Sequence, residues 1–294
     1  MTEDFKAVSP HRLSLKIVAL FSVVRWYNIF LTILAQYISA FVFTRFKHIS
    51  AMHVLLDFKL HVIVLASVFS IAAGFIINNF YDFEKDLINR PKPTLFHKII
   101  SKKTTLNLYI IFNSIALVIA FLASFKIGVF FFFFIFGLWL YSHKFQKLFF
   151  FKELTASILS VTSFFAILLH YNIYFFFIFV YGAFFMILIY GRELIKQFEN
   201  YNGDLALNIR SMPVVLGLEN AKLFIYFVFM IGCLLGLGIM FYEGLIVRNY
   251  FVLSTCLFYA ISVFLIKRKH FKLSNLLFKI MIVFGILNLF TFLV

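Results

Sequence analysis

Residues 61–86 read HVIVLASVFSIAAGFIINNFYDFEKD. The stretch from His61 to Tyr81 carries no Asp, Glu, Lys or Arg, and at about 1.5 Å per residue it reaches about 30 Å, the thickness of a bilayer's hydrocarbon core. Inside that core every backbone N–H and C=O needs a partner within the segment, and a single run of this length can supply them only as an α-helix. Its end is as informative as its length. Asp82, Glu84 and Asp86 follow at once, so the helix leaves lipid and enters a polar setting within one or two turns.

The rest of the chain repeats this design. Of its 294 residues, 63% are hydrophobic and only 13% charged, which is too apolar for a soluble domain and makes lipid the solvent for most of the surface. Apolar segments that span or nearly span lie near 17–43, 61–81, 105–125, 127–142, 154–170, 171–191, 222–242, 249–266 and 273–293. The fold class expected is therefore an all-α, polytopic membrane bundle of about nine transmembrane helices. The weakest boundary falls in the nearly continuous apolar run from Leu154 to Tyr190, whose clearest break is His170, Tyr171 and Asn172. Residues 1–294 read as a single domain, with 1–14 a short cytoplasmic segment and the first apolar run a retained span rather than a cleaved signal peptide. Cys233 and Cys256 sit in apolar stretches without metal-ligand spacing and read as packing residues.

A net charge of +15 would point to nucleic acid in a soluble protein, but here the charges sort by side of the membrane. With the N-terminus in the cytoplasm, 20 of the 27 Lys and Arg fall in the inner loops and five, Arg45, Lys47, Lys59, Lys126 and Arg248, in the outer ones. Arg25 and Lys279 lie within spans. The asymmetry follows the positive-inside rule, so the basic groups meet membrane lipid and no nucleic-acid partner is expected. The location expected is an integral protein of the bacterial inner (cytoplasmic) membrane, with the polar loops described next facing the cytoplasm.

Six of the 12 acidic residues gather in two of those inner loops. In the first, Asn78, Asp82 and Asp86 recur at i, i+4 and i+8, on one face of a helix continued past the membrane edge. Such an oxygen-rich face suits a hard divalent cation, and magnesium best, because it keeps several waters and takes few carboxylates plus phosphate oxygens from a substrate. Arg90 and Lys92 follow as phosphate partners, and Pro91 and Pro93 end the helix. Read by spacing alone, the same acids serve equally well as solvated counterions for nearby lysines. In the second loop, Glu193, Gln197, Asn200 and Asp204 recur at helical spacing beside Arg192 and Lys196, with Gly203 a candidate helix end. Alone, this loop reads as an amphipathic helix lying on the bundle.

Together these residues resemble the UbiA-type family of intramembrane aromatic and lipid prenyltransferases. Asn78, Asp82 and Asp86 match its first Asp-rich motif, followed by Asn89-Arg90-Pro91. Arg25 and Asn28 resemble the polar pair of its first helix, and Tyr141-Ser142 with Lys147 the segment after its fourth. The loop from Arg192 through Gly203-Asp204 to Arg210 and Pro213 is most similar to the branch of digeranylgeranylglyceryl phosphate synthases. One departure stands out: Gln197 and Asn200 occupy positions where the second motif usually has aspartates, leaving Glu199 and Asp204 as its carboxylates.

The resemblance implies a nine-helix bundle around a central chamber and magnesium-dependent transfer of a prenyl group from a prenyl diphosphate to a lipophilic acceptor. The acceptor is a geranylgeranylglyceryl phosphate-type lipid or, alternatively, an aromatic acid such as 4-hydroxybenzoate or a naphthoate. It implies magnesium held by Asn78, Asp82, Asp86, Glu199 and Asp204, with Asp82, Asp86, Lys196 and Asp204 catalytic. Arg25, Asn28, Asn78, Arg90, Tyr141, Lys147, Arg192, Asn200 and Arg210 would then bind substrate. A transporter would instead need ionisable groups at mid-span, where Arg25 and Lys279 are the charged candidates. A catalytically impaired scaffold is the reading that Gln197 and Asn200 motivate.

Overall fold

The computed structural model describes residues 20–89, 101–145, 148–243 and 246–290, and their side chains except at 84–89, 240–243, 246–249 and 251. The N-terminal segment, Arg90, Lys147 and the side chain of Asp86 thus lie outside the described residues. The elements are α1 (Trp26–Arg45), α2 (Ala51–Leu56), α3 (Phe58–Asn89), α4 (Lys102–Ala123), α5 (Phe125–His143) and α6 (Phe151–Tyr171). They continue with α7 (Phe176–Glu199), α8 (Tyr201–Ala206), α9 (Met212–Leu216), α10 (Leu218–Glu243), α11 (Ile246–Lys267) and α12 (Phe271–Asn288). There is no strand among the described residues. Among the described residues, eight helices are long and apolar enough to cross a membrane, and α11, apolar over Val252–Lys267, is a shorter ninth.

Each reversal has a local chemical cause. Ser124 both closes α4 and opens α5: its N–H donates to the Ala120 carbonyl, while its Oγ accepts from Ile127 N at 3.2 Å. The extended backbone of one serine therefore turns two spans into a hairpin. Between α6 and α7 the break falls at Asn172, as expected from the sequence. Asn172 takes the left-handed conformation (φ 53°), and Ile173 N reaches back to the Leu168 carbonyl at 2.9 Å, closing the helix end. The first span departs from expectation. Arg25, at φ 50°, separates the helical residues 20–23 from the helix that begins at Trp26.

The spans pack as a closed circuit rather than a row. α3 lies against α4, α5 and α1; α6 against α5, α7 and α1; and α7 against α10 and α12. Contact between α12 and α1 closes the ring. Outward faces carry large apolar side chains such as Phe58, Leu122, Phe125 and Phe176, as a lipid-facing surface requires. Inside, Phe131, Phe184 and Phe278 are fully buried. Mid-bundle polarity is neutral: Gln36 Nε2 of α1 donates to Ser67 Oγ of α3 at 2.7 Å and to the Ser163 carbonyl of α6 at 2.9 Å. Lys279 is exposed on α12, away from this interior, so the charged mid-span path a transporter would use does not form among the described residues.

Candidate active site

Helix α3 does not stop at the apolar limit but runs to Asn89, so Asn78, Asp82 and Asp86 do share one helical face. Asn78 Nδ2 donates to Asp82 Oδ2 at 3.1 Å. The other amide atom, Asn78 Oδ1, is buried without a partner among the described residues. An unfilled acceptor beside a carboxylate is the donor set a hard cation takes, and it fits magnesium. No three His, Cys, Asp or Glu side chains converge as a self-sufficient metal site among the described residues. That also suits magnesium, which completes its shell with water and phosphate oxygens.

The second loop is built differently from its expected helical repeat. Helix α7 ends at Glu199, and the break falls at Asn200 rather than Gly203, which lies inside α8 with Asp204. Asp204 N donates to the Asn200 carbonyl at 2.9 Å, folding α8 back so that it touches α3. This contact brings the two acidic motifs together, and Asp204 is 1% exposed there. Gln197 and Glu199, meanwhile, are used as fasteners. Gln197 Oε1 accepts from Met212 N at 2.7 Å, tying α7 to α9, and Glu199 Oε1 accepts from Asn275 Nδ2 of α12 at 2.6 Å.

Charge at this end divides into two neighbouring groups. In one, Glu193 is held by Arg192 Nη1 at 2.8 Å and Lys196 Nζ at 3.2 Å, with Arg25 acting on both Glu193 and Lys196. Two cations thus grip one carboxylate, and Arg25 adds to the field on it. Arg25, at the break before α1, holds its guanidinium 5.4 Å above the Phe75 ring. Gly191 lets α7 press against two aromatic rings, because a Cβ there would meet the Phe229 ring at 2.9 Å and the Phe278 ring at 3.2 Å. In the other group the balance is reversed: Lys152, in the first turn of α6, is acted on by Asp82, Glu153 and Asp204. Tyr141, at the end of α5, lies within the field of both groups.

Of the residues expected at a site, Arg25, Asn78, Asp82, Tyr141, Arg192, Lys196 and Asp204 thus gather at one end of the bundle. Asn28 lies one turn into α1 from Arg25 and is half-buried. Asn200 serves as the hinge between α7 and α8, and Arg210 is exposed beyond α8. Sequence reasoning missed Lys152 and Glu153, which head an apolar run and look like an ordinary flank of a span. It also missed Asn275, an isolated amide in α12 whose signal is no more than a polar residue in a span.

Comparison with known proteins gives the same answer. The model of the UbiA prenyltransferase family matches residues 48–286. A digeranylgeranylglyceryl phosphate synthase of Methanosphaera stadtmanae is 26% identical over 172 residues, 58% of this chain and 62% of that one. One of Thermococcus sibiricus is 29% identical over 150 residues, 51% of this chain and 53% of its own length. The chain thus spans roughly half to three fifths of the length of these curated relatives. Among solved structures, one described as digeranylgeranylglyceryl phosphate synthase aligns with a TM-score of 0.71 at 18% identity, over 94% of this chain and 98% of that one. A UbiA homologue from Archaeoglobus fulgidus bound to GPP and Mg2+ aligns with a TM-score of 0.70 at 18% identity, over 93% and 99%. At this identity these two show the fold, while the family match covers most of the chain: the protein belongs to the UbiA prenyltransferase family.

Proposed function

We propose that this protein transfers a prenyl group from a prenyl diphosphate to a lipophilic acceptor, with magnesium as cofactor, and that the acceptor is a geranylgeranylglyceryl phosphate-type lipid. The observation that carries the reading is the division of charge at one end of the bundle. The cations Arg25, Arg192 and Lys196 suit a diphosphate, and the adjoining carboxylates suit the metal that accompanies it. Arg90 and Lys147 are proposed to add to the first group and Asp86 to the second. Asn28, Asn200 and Arg210 are proposed at its edge, where the acceptor's own phosphate would arrive.

Magnesium held by Asn78, Asp82 and Asp86 would supply positive charge against the diphosphate as it leaves. The chain's residues do the remaining work. Arg192 and Lys196, preoriented by Glu193, bind the diphosphate oxygens, so that when the allylic C–O bond breaks its electron pair departs with the diphosphate. The hydroxyl oxygen of the acceptor bonds to that carbon and loses its proton, giving a prenyl ether, diphosphate and a proton. The apolar bundle interior excludes competing water. The cytoplasm is the side proposed for this end, in keeping with the distribution of Lys and Arg. The membrane proposed is the cell's cytoplasmic membrane, and the bacterial origin expected from the sequence has archaeal relatives against it.

The test is incubation of purified protein with magnesium, a panel of prenyl diphosphates, and geranylgeranylglyceryl phosphate, 4-hydroxybenzoate or a naphthoate, with products identified by mass spectrometry. The expected product is the lipid ether. A prenylated aromatic acid alone would replace the acceptor class, and turnover of none of these would overturn the enzyme reading.

A further inference from the structure

Three helices that reach the site also meet one another deep in the bundle. Arg25 before α1, Asn78 on α3 and Lys152 in the first turn of α6 stand at the site's end. Eleven residues deeper along each helix come Gln36, Ser67 and Ser163. There Gln36 Nε2 donates to Ser67 Oγ at 2.7 Å and to the Ser163 carbonyl at 2.9 Å. None of the three is more than 1% exposed. At about 1.5 Å per residue, this crossing lies about 16 Å below Arg25 and Asn78.

Burial changes at the same level. On α1 no residue from Trp26 to Leu34 is buried, whereas Ala35, Gln36, Ile38, Ser39 and Ala40 all are. On α3, Ile71, Phe75, Asn78 and Asp82 fall within about 80° of Ser67 around the helix, so the five share one face. The four nearer the site are part-exposed, and Ser67 is fully buried. Beyond the crossing, Leu60, Ile63 and Val64 of α3 pack with Ala166, Ile167 and Leu168 of α6 in one apolar core. The face that leaves the site along α3 is therefore open as far as the Gln36 level and closed past it. Ser39 Oγ and Ser163 Oγ, at that level, are buried without partners among the described residues, and an apolar chain end pressed against them supplies none.

We propose that the Gln36 crossing is the floor on which the prenyl chain of the donor ends, and that Gln36 thereby limits the donor to about four isoprene units. This inference rests on the prenyl diphosphate reading above. With the diphosphate held at the level of Asn78 and Asp82, the chain runs down the open face of α3, and the floor lies about 16 Å from the first and about 22 Å from the second. An extended isoprene unit adds four chain carbons and about 5 Å at ordinary bond lengths, so four units reach the floor and a fifth meets it. Going further would break both buried hydrogen bonds of the Gln36 amide and leave it without partners.

The experiment uses the full chain in detergent with magnesium and unreactive prenyl thiolodiphosphates of two to six isoprene units, and measures the dissociation constant of each. Wild-type affinity is expected to rise up to four units and to fall at least about tenfold from four to five. In Gln36→Ala the space left by the amide should shrink that step to within about threefold, while the two-unit analogue, too short to reach the floor, binds as it does to wild type. A wild-type series with no step, or with its step at another length, overturns the inference while leaving the prenyl diphosphate reading intact, and this series needs no variant to fold. A folded Gln36→Ala that keeps the wild-type step, or that weakens every length alike, also overturns it. A wild type that binds none of the analogues overturns both.

Discussion

The two ends of the bundle handle polar groups in opposite ways. At the end away from the acidic motifs, charged side chains fasten loops to helix ends. His170 meets Asp57 at 2.7 Å, Lys47 Nζ donates to the Tyr171 carbonyl at 3.0 Å, and Lys126 Nζ donates to Asn172 Oδ1 at 2.8 Å and Tyr174 Oη at 2.9 Å. Tyr37 and His61 pair at 2.7 Å. At the other end, Asn78 Oδ1, Arg192 Nε, Ser211 Oγ and Asn275 Oδ1 are buried without partners among the described residues. Such atoms occur elsewhere too, at Gln36 Oε1, Ser39 Oγ, Ser163 Oγ and Tyr171 Oη, but those at this end stand among charged side chains, and each forgoes about 1 to 3 kcal/mol of solvation that a polar ligand would return. One end is built for stability, the other for occupancy.

The sharpest way to break this contrast is to remove a carboxylate from the occupied end. Asp82→Asn is expected to lower turnover by about 10² to 10³, the scale for losing one preorganised charge contact in a transition state, with thermal unfolding near wild type. Asp86→Asn should behave alike. Initial rates at saturating magnesium, beside unfolding temperatures in detergent, decide this, and wild-type turnover would remove Asp82 from the site.

Glu193→Gln asks whether the cationic group is held in readiness. With its carboxylate gone, Arg25, Arg192 and Lys196 repel one another, and the ligand-free protein should lose about 2 to 3 kcal/mol, as when a buried pair is broken. Inorganic diphosphate should restore a part of that loss. An unfolding temperature that falls equally with and without diphosphate would mean the cations do not form an anion site.

At the fastened end, Asp57→Asn should cost about 1 to 2 kcal/mol while leaving activity per folded molecule unchanged. Burial pushes the Asp57 carboxyl up, but its hydrogen bond and charge contact with His170, together with the Leu60 N–H, outweigh that and hold it below its usual range. A depressed carboxyl stabilises the fold above its unfolded value of about 4 and ceases to do so as pH falls through the folded one. The stability gap between wild type and Asp57→Asn should therefore persist at neutral pH and close below about pH 4. A gap independent of pH across that window would reassign the effect to packing.

The smallest effect is expected from Asn200→Asp. A carboxylate at the hinge between α7 and α8 adds negative charge near the site, so the magnesium concentration for half-maximal rate should fall about twofold, at fixed prenyl diphosphate. A rise instead would assign the amide to the acceptor.

Much of this was legible in residue order. Nine apolar runs, the charge asymmetry between loops and the Asn78, Asp82, Asp86 spacing are local properties, fixed by bilayer thickness and helical pitch, so the helical bundle and one face of its site could be read directly. The break at Asn172 was visible too, because a polar interruption of an apolar run is itself a local signal.

What only the tertiary structure decided is which charges face one another. Lys152 heads a span like any positive-inside flank, and nothing nearby in sequence marks the electrostatic influence on it of Asp82, 70 positions earlier, or of Asp204, 52 positions later. Asn275 of α12 reaches Glu199, a contact that residue order does not show. The hinge fell at Asn200 rather than at the more permissive Gly203, because α8 turns back onto α3. Periodicity determines which way a side chain leaves its own helix. Its electrostatic partner depends on the distance to other helices, and that distance is set by the packing of the whole ring.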